Sequence, residues 1–236
     1  MNDFCLICDT LLQKEMTWTS LFFHSVQSPL CSSCEAKLEP ITGARCLICS
    51  RSLADLDVNF IKDQTCMDCF RWEQDPNWAK CLQQNYSCFH YNEFLKEVMA
   101  QFKFRGDYAL ASIFASVLLK ELKKLKFDLL VPIPLSEERL RERGFNQAEA
   151  LAQVAGWQTI ELLKRIHTEK QSKKSRKERL RQKQIFQFQG DCETIKGKSL
   201  LLIDDIYTTG TTLRHAAKEL KKAGAKEVQS ITVARG

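Results

Sequence analysis

Residues 200–213 constrain the fold of this chain most, because they place an apolar run, two acids and a threonine-rich loop directly before a helical segment. The apolar residues 199–203 predict a buried strand, and residues 212–223 predict a helix that ends at Gly224. Loop amides and a helix N-terminus form an anion site, since unpaired N–H groups and the helix dipole both favour phosphate. The segment therefore predicts a strand, a phosphate-binding loop and a helix in succession.

The side chains of this loop, residues 204–212, limit which kinds of ligand it could bind. Gly210 permits close approach of a ligand to the backbone, and hydroxyl donors come from Thr208, Thr209, Thr211 and Thr212. The adjacent acids Asp204 and Asp205 are suited to accept hydrogen bonds from vicinal hydroxyls, as a ribose would provide. A Walker-type site is excluded, because Gly-Lys-Ser/Thr is missing. We therefore expect a ribose 5-phosphate group here; a capped helix without a ligand is the alternative.

The rest of the C-terminal part alternates short apolar runs with helical stripes. Strands are predicted at 86–91, 128–133, 159–163 and 228–234, and helices at 93–104, 109–125 and 136–154. Short apolar strands that alternate with helices are typical of a parallel sheet covered by helices on both faces. A polar stretch with Pro76 marks a boundary. It predicts a cysteine-rich module over residues 1–76 and an α/β domain over residues 77–236.

Eight of the eleven cysteines form four Cys-x-x-Cys pairs, which are read as metal ligands in a reducing compartment. Four thiolates suit zinc, although iron–sulfur clusters also use four. Sequential use of the pairs gives the sets Cys5/Cys8/Cys31/Cys34 and Cys46/Cys49/Cys66/Cys69, and interleaved use is the alternative. The ribbon-sized spacing between pairs favours sequential use, hence two structural Zn²⁺ in a double zinc ribbon. We expect the other cysteines to pack as small apolar residues: Cys81, Cys88 and Cys192.

The loop resembles the signature of the type I phosphoribosyltransferases, which is an apolar strand, two acids, a variable pair and then Thr-Thr-Gly-x-Thr. Every position of that signature is filled in residues 200–212. The resemblance implies that Asp204 and Asp205 contact the ribose hydroxyls of phosphoribosyl pyrophosphate (PRPP). It further implies that residues 208–212 hold the 5-phosphate and that Mg²⁺ accompanies PRPP. The fold implied is a phosphoribosyltransferase-like parallel sheet flanked by helices.

Further motifs resemble the ComF family within this class. They are Val-Pro-Ile-Pro-Leu at 131–135, Arg-Glu-Arg-Gly-Phe-Asn-Gln at 141–147, Phe-Arg-Gly-Asp at 104–107 and the cysteine-rich front end. The resemblance implies that the loop after the strand predicted at 128–133 contacts the pyrophosphate of PRPP. The residues assigned to this pyrophosphate side are Pro132, Ile133, Pro134 and Arg143. It also implies that the protein interacts with a ComFA-type ATPase and handles imported single-stranded DNA at the inner face of the membrane.

Basic residues concentrate in one segment. Residues 164–183 hold ten Lys or Arg against two Glu, whereas the whole chain has a net charge of +6. The resemblance to the phosphoribosyltransferases implies that this segment corresponds to their mobile catalytic loop. As a lid, it would use Lys173, Lys174 or Arg176 to neutralise pyrophosphate. As an arm, the cluster would follow a nucleic-acid backbone; a solvated loop is the third interpretation.

Composition limits the function classes. Charged residues make up 27% of the chain, an ordinary soluble value, and no run approaches the roughly 20 apolar residues of a membrane span. The first residues carry no basic region, so we expect no signal peptide and a cytoplasmic protein.

Three hypotheses about function remain: a competence protein that binds PRPP and handles imported DNA, an active phosphoribosyltransferase with an unknown nucleophile, and a PRPP-sensing regulator.

Overall fold

The computed structural model describes residues 3–12, 28–166 and 185–236. The strands of these residues are, in chain order, β1 (Ile61–Lys62), β2 (Thr65–Cys66), β3 (Asn85–His90), β4 (Leu129–Pro132), β5 (Leu163–Arg165), β6 (Phe186–Phe188), β7 (Ser199–Tyr207) and β8 (Glu227–Arg235). Four of them form the main sheet in the order β3-β8-β7-β4, and each neighbouring pair is parallel. The pairs β1/β2 and β5/β6 are separate antiparallel hairpins.

Helices cover both faces of the main sheet, as the sequence predicts. They are α1 (Ser32–Glu35), α2 (Met67–Gln74), α3 (Glu93–Phe104), α4 (Ala115–Leu122), α5 (Glu137–Arg143), α6 (Gln147–Val154) and α7 (Thr211–Lys222). Side chains alternate between the faces of a strand, so β7 sends Leu201 and Ile203 into one core with α3, α4 and α6. It sends Leu200 and Leu202 into the other core with α7. The predicted parallel, doubly covered sheet is confirmed.

The single helix predicted at 136–154 is wrong, because the chain breaks it into α5 and α6. Gly144 ends α5 with a left-handed φ of 79°, a conformation that glycine adopts without steric cost. Asn146 then caps α6 by accepting a hydrogen bond from the Ala148 amide at 3.0 Å. Its side-chain nitrogen donates to the carbonyl of Ile133 at 3.1 Å. The break therefore ties the start of α6 to the end of β4.

Two other boundaries differ from the sequence expectation. The strand predicted at 159–163 forms at Leu163–Arg165 instead, because its partner is the antiparallel β6 rather than the main sheet. The second helix begins as a 3₁₀-helix, Tyr108–Phe114, before α4. Asp107 caps this tighter turn by accepting from the Ala109 amide at 3.1 Å.

β7 continues beyond the apolar run where we expected it to end. Its neighbour β8 extends to Arg235, so Asp204 pairs with Thr232 and Tyr207 pairs with Arg235. The two acids consequently lie in the strand, and the phosphate loop is shorter than the predicted 204–212. Only residues 208–210 connect β7 to α7.

The cysteine-rich residues pack directly on the main sheet. The backbone around Pro40 pairs antiparallel with β3, through the bonds His90 N to Glu39 O and Ile41 N to Cys88 O, both 2.9 Å. This pairing covers an edge strand that would otherwise expose its backbone groups. The division at residue 76 remains a prediction.

The three cysteines outside the four pairs differ in burial. Cys81 and Cys88 are buried, as expected, but Cys192 is exposed. The prediction is wrong for Cys192 because it lies in a short surface 3₁₀-helix, Cys192–Thr194, which buries no side chain.

Candidate phosphate and metal sites

Asp204 and Asp205 lie near the carboxyl end of β7, where ligands of open α/β sheets bind. Lys103, from the last turn of α3, forms an ion pair with Asp205, with 2.7 Å between Nζ and Oδ2. Asp204 Oδ1 accepts a hydrogen bond from the Asp205 amide at 2.9 Å. The sequence does not indicate this ion pair, because nothing local to α3 shows that Lys103 faces an acid a hundred residues away.

The surroundings of Asp204 disfavour its charged form. Burial, followed by the neighbouring charge of Asp205, raises the pKa of Asp204 from 3.8 to about 7. The cations Lys103 and Arg165 act in the opposite direction on this pKa but do not outweigh burial. Strongly raised carboxyl pKa values cluster at functional sites, and a ligand that donates hydrogen bonds would favour the ionised form.

The loop after β7 makes a tight turn into α7 at Gly210. Gly210 has φ 80° and ψ −1° and precedes the first turn of α7, which carries no acid. The hydroxyls of Thr209 and Thr211 lie 2.9 Å apart. A Cβ at position 210 would overlap the phenol of Tyr207, so only glycine fits between the loop and that ring.

The predicted pyrophosphate side lies beside the acids, across β4. Pro132 pairs with Ile203, and the Ile133 amide donates to the Ile203 carbonyl at 3.0 Å. A cavity of about 350 Å³ opens here, with Pro132, Pro134 and Arg165 among its lining residues. The carboxyl ends of β4 and β7 therefore lie side by side and form one continuous edge of the sheet, at the ends of its strands.

Arg143 is the last residue of α5, and the charges of Asp204 and Asp205 both favour its charged form. Its Nη1 donates to Gln147 Oε1 at 2.9 Å. Its Nε is buried and has no hydrogen-bond partner among the described residues. Burial lowers the pKa of Arg143. The other predicted pyrophosphate contacts, Lys173, Lys174 and Arg176, lie outside the described residues.

The eight paired cysteines group into two quartets in the sequential arrangement. Within each quartet, Cys5/Cys8/Cys31/Cys34 or Cys46/Cys49/Cys66/Cys69, the sulfur atoms lie within 4.8 Å of one another. The Cys8–Cys31 and Cys49–Cys66 sulfurs are 3.6 and 3.7 Å apart. Tetrahedral zinc with Zn–S bonds of about 2.3 Å would separate sulfurs by about 3.8 Å, whereas a disulfide bond measures about 2.05 Å. The quartets therefore fit zinc.

The two quartets are built from repeated local structure. Asp9 N donates to Cys5 O and Ser50 N to Cys46 O, both at 3.0 Å. Asp9 and Ser50 both adopt a positive φ, 54° and 61°. The second pair of each quartet stands at the start of a helix, α1 or α2. The second quartet is fully buried, while the first leaves Cys8 exposed.

A buried arginine connects the second quartet to the phosphate loop. Arg214 of α7 has no exposed surface, and its Nη1 lies 2.8 Å from Glu73 Oε1 of α2. Its guanidinium stacks over the Trp72 ring at 5.1 Å, and Trp72 Nε1 donates to the Thr209 carbonyl at 3.0 Å. Sequence reasoning missed all three residues. The local signal in the sequence is that Arg214 and His215 interrupt the apolar positions of α7.

Comparison with known proteins agrees with this geometry. The sequence profile described as phosphoribosyl transferase domain matches residues 111–236, more than half of the chain. The fold and this match define the class of the C-terminal part as a phosphoribosyltransferase domain. The N-terminal quartets are additional to it.

Similar proteins extend over nearly the whole chain. Competence protein ComFC of Bacillus subtilis (strain 168) is 40% identical and aligns with 98% of this chain and 94% of its own length. ComFC of Streptococcus pneumoniae R6 is 37% identical over 98% and 99%. Competence protein F of Haemophilus influenzae Rd is 29% identical over 90% and 93%. The chain therefore belongs to the ComF family.

Proposed function

We propose that this protein binds PRPP at the edge formed by β4 and β7 and supports DNA uptake during natural transformation. The observation that carries the binding proposal is the grouping of two acids, a glycine-turn anion loop and the unpaired Arg143 Nε on one edge. Asp204 and Asp205 would accept hydrogen bonds from the ribose hydroxyls. The amides of residues 208–212 would hold the 5-phosphate, and Arg143 the pyrophosphate. Pro132, Ile133 and Pro134 would form the adjoining wall.

Magnesium would accompany the pyrophosphate of the ligand. Mg²⁺ binds through one or two carboxylates together with substrate phosphates, and this edge offers carboxylates beside the proposed phosphate positions. The Mg²⁺ ion would neutralise negative charge on the pyrophosphate. Asp205 is compatible with ligand binding in the presence of Lys103, because the ion pair uses Oδ2 and the other oxygen remains an acceptor.

The competence role is supported by the relatives named as competence proteins. We propose that the protein handles imported single-stranded DNA together with a ComFA-type ATPase. The basic residues of segment 164–183 would contact the DNA backbone. Among the described residues, no helix is both long and apolar enough to span a bilayer.

Replacing both acids tests the pocket and its biological role together. Asp204→Ala with Asp205→Ala removes the proposed ribose acceptors, so PRPP binding measured by calorimetry should be lost while the far-UV spectrum and the zinc content persist. Transformation frequency in a strain that carries this double variant should fall by at least tenfold. A matched control is Asp63→Ala with Asp191→Ala, on loops away from this edge. Unchanged PRPP affinity in the first variant would refute the assignment.

Catalysis is a second candidate, favoured by the cationic pyrophosphate side at Arg143. An active phosphoribosyltransferase would release pyrophosphate from PRPP when supplied with its nucleophile. Pyrophosphate release in the presence of single-stranded DNA or cell extract, absent from the double Asp variant, would establish it. If the protein binds PRPP without releasing pyrophosphate, it acts as a PRPP-dependent binding protein or regulator.

A further inference from the structure

Helix α2 carries both metal ligands and contacts to the phosphate loop. It begins directly after Cys66 and contains Cys69 in its first turn. Trp72 follows Cys69 by three residues, a rise of about 4.5 Å that leaves both side chains on the same side of the helix. A metal in the second quartet would therefore fix the first turn of α2, and Trp72 follows one helical turn later on the same side of the helix.

The hydrogen bond from Trp72 acts on one peptide unit of the phosphate loop. Trp72 Nε1 donates to Thr209 O at 3.0 Å, and Thr209 is joined to Gly210 by a trans peptide. In a planar trans peptide the C=O and the following N–H point in opposite directions. When Trp72 holds the Thr209 carbonyl toward α2, the Gly210 N–H must point away from α2.

Because residue 210 is glycine, the Thr209–Gly210 peptide could adopt either of two orientations. Its φ of 80° and ψ of −1° are those of the third residue in a type II turn, whereas a type I turn requires a negative φ there. The two turn types differ by a flip of the central peptide, here Thr209–Gly210. Glycine tolerates both states, so the loop sequence alone does not fix the direction of the amide.

A second contact holds α2 against the helix that follows the loop. Glu73 Oε1 accepts from Arg214 Nη1 at 2.8 Å, and Arg214 N donates to Gly210 O at 2.9 Å within the first turn of α7. The Arg214 guanidinium also lies over the Trp72 ring. The loop is therefore held to α2 directly at the Thr209 carbonyl and indirectly through Arg214 in the first turn of α7.

We propose that the metal in the second quartet controls phosphate binding through Trp72, which acts as a positioning residue for the Gly210 amide. With metal bound, α2 holds the Thr209 carbonyl and the Gly210 N–H faces the ligand's 5-phosphate. Without metal, α2 loses its anchor and the Thr209–Gly210 peptide flips. This inference rests on the proposed function, because it deepens the description of the same site.

The central experiment compares Trp72→Phe with Trp78→Phe. The first change removes the indole donor but keeps an aromatic ring under Arg214. Trp78 packs on the same helix α7, against His215 at 4.5 Å, and has no described hydrogen bond to the loop. Affinities for inorganic phosphate and ribose 5-phosphate are measured by calorimetry, with zinc content and melting temperature for each protein.

The expected result separates positioning from stability. Trp72→Phe should bind both ligands roughly tenfold more weakly, the effect of one lost hydrogen bond, while the zinc content stays that of the wild type. Trp78→Phe should bind as the wild type does. Equal affinity in Trp72→Phe and wild type would overturn the inference, as would an equal loss in both variants. If the wild type binds neither ligand, the proposed function itself fails and this inference with it.

Metal dependence is tested with one cysteine from each quartet. Cys69→Ser should lose one zinc and weaken phosphate binding at least as much as Trp72→Phe. Cys8→Ser, in the first quartet, should also lose one zinc but keep its phosphate affinity. The Gly210 amide resonance in ¹⁵N spectra should move in Cys69→Ser and in Trp72→Phe and stay in place in Cys8→Ser. The opposite pattern would contradict the proposed route through α2.

Discussion

Asp204 and Asp205 are adjacent in sequence but have different surroundings. Asp205 has a direct cationic partner in Lys103, whereas burial dominates the pKa of Asp204 and raises it to about 7. The sequence predicts that this acid pair is functional, because adjacent acids at a strand end are costly without a partner. It does not predict which acid is paired, because Lys103 reaches Asp205 only through the packing of α3 on the sheet.

Asp204→Asn should change the pH dependence of stability. Because the pKa of Asp204 is raised in the folded state, its stabilising contribution is complete below about pH 4 and is lost as pH rises through about 7. The variant should therefore be more stable than the wild type at pH 8, by about 1–3 kcal/mol, with a smaller difference at pH 5. Urea unfolding at the two pH values measures this, and a difference that is equal at both would contradict the raised pKa.

Gly210 illustrates what residue identity alone can and cannot specify. A glycine between threonines predicts a turn that allows close backbone approach. The sequence does not show that Tyr207 fills the space beside it, or that Trp72 fixes the peptide before it. Both facts depend on side chains that the folded chain brings to the loop.

At the scale of elements, boundaries depend on partners. α3 forms at Glu93–Phe104, as predicted, because its apolar spacing and its Asn92 cap are local in sequence. β7 runs past its apolar residues to Tyr207 because β8 supplies backbone partners that far. The predicted helix at 136–154 breaks because Gly144 and Asn146 provide a stop and a new start, two local signals that lie inside the predicted range.

The ion pair between α2 and α7 should contribute substantially to stability. Glu73→Ala would leave the fully buried Arg214 without its carboxylate, at a cost of about 3–5 kcal/mol for an uncompensated buried charge. The matched control is Glu193→Ala, whose pair with Lys196 at 2.9 Å is exposed and should cost less than about 1 kcal/mol. Denaturant unfolding of both variants measures the difference. Equal, small losses would show that water enters to solvate Arg214.

At the scale of the whole molecule, the cysteine quartets and the sheet form a continuous structure. Cys5 and Cys34 belong to the core on one face of the sheet, and the second quartet belongs to the core on the other. The segment at Pro40 also pairs with the edge strand β3. Metal binding should therefore affect the stability of the entire chain.

Metal analysis should give two zinc ions per chain, one for each quartet. Removing them with a strong chelator should lower the melting temperature by at least 10 °C, because the free energy of structural zinc binding is also folding free energy. The matched control, Cys192→Ser at an exposed cysteine, should retain both ions and the melting temperature. One ion or none in the wild type would refute the double-ribbon interpretation.

The sequence by itself determined the features that depend on local pattern. They are the strand–loop–helix unit at the phosphate loop, the parallel sheet with helices on both faces, and the pairing of cysteines in Cys-x-x-Cys turns. Only the tertiary structure decided which residues stand opposite these motifs. Lys103 against Asp205, Trp72 against Thr209 and Glu73 against Arg214 are contacts across a hundred or more residues of sequence. Periodicity and spacing report which face of an element is buried, but the side chains that meet there depend on how the elements pack.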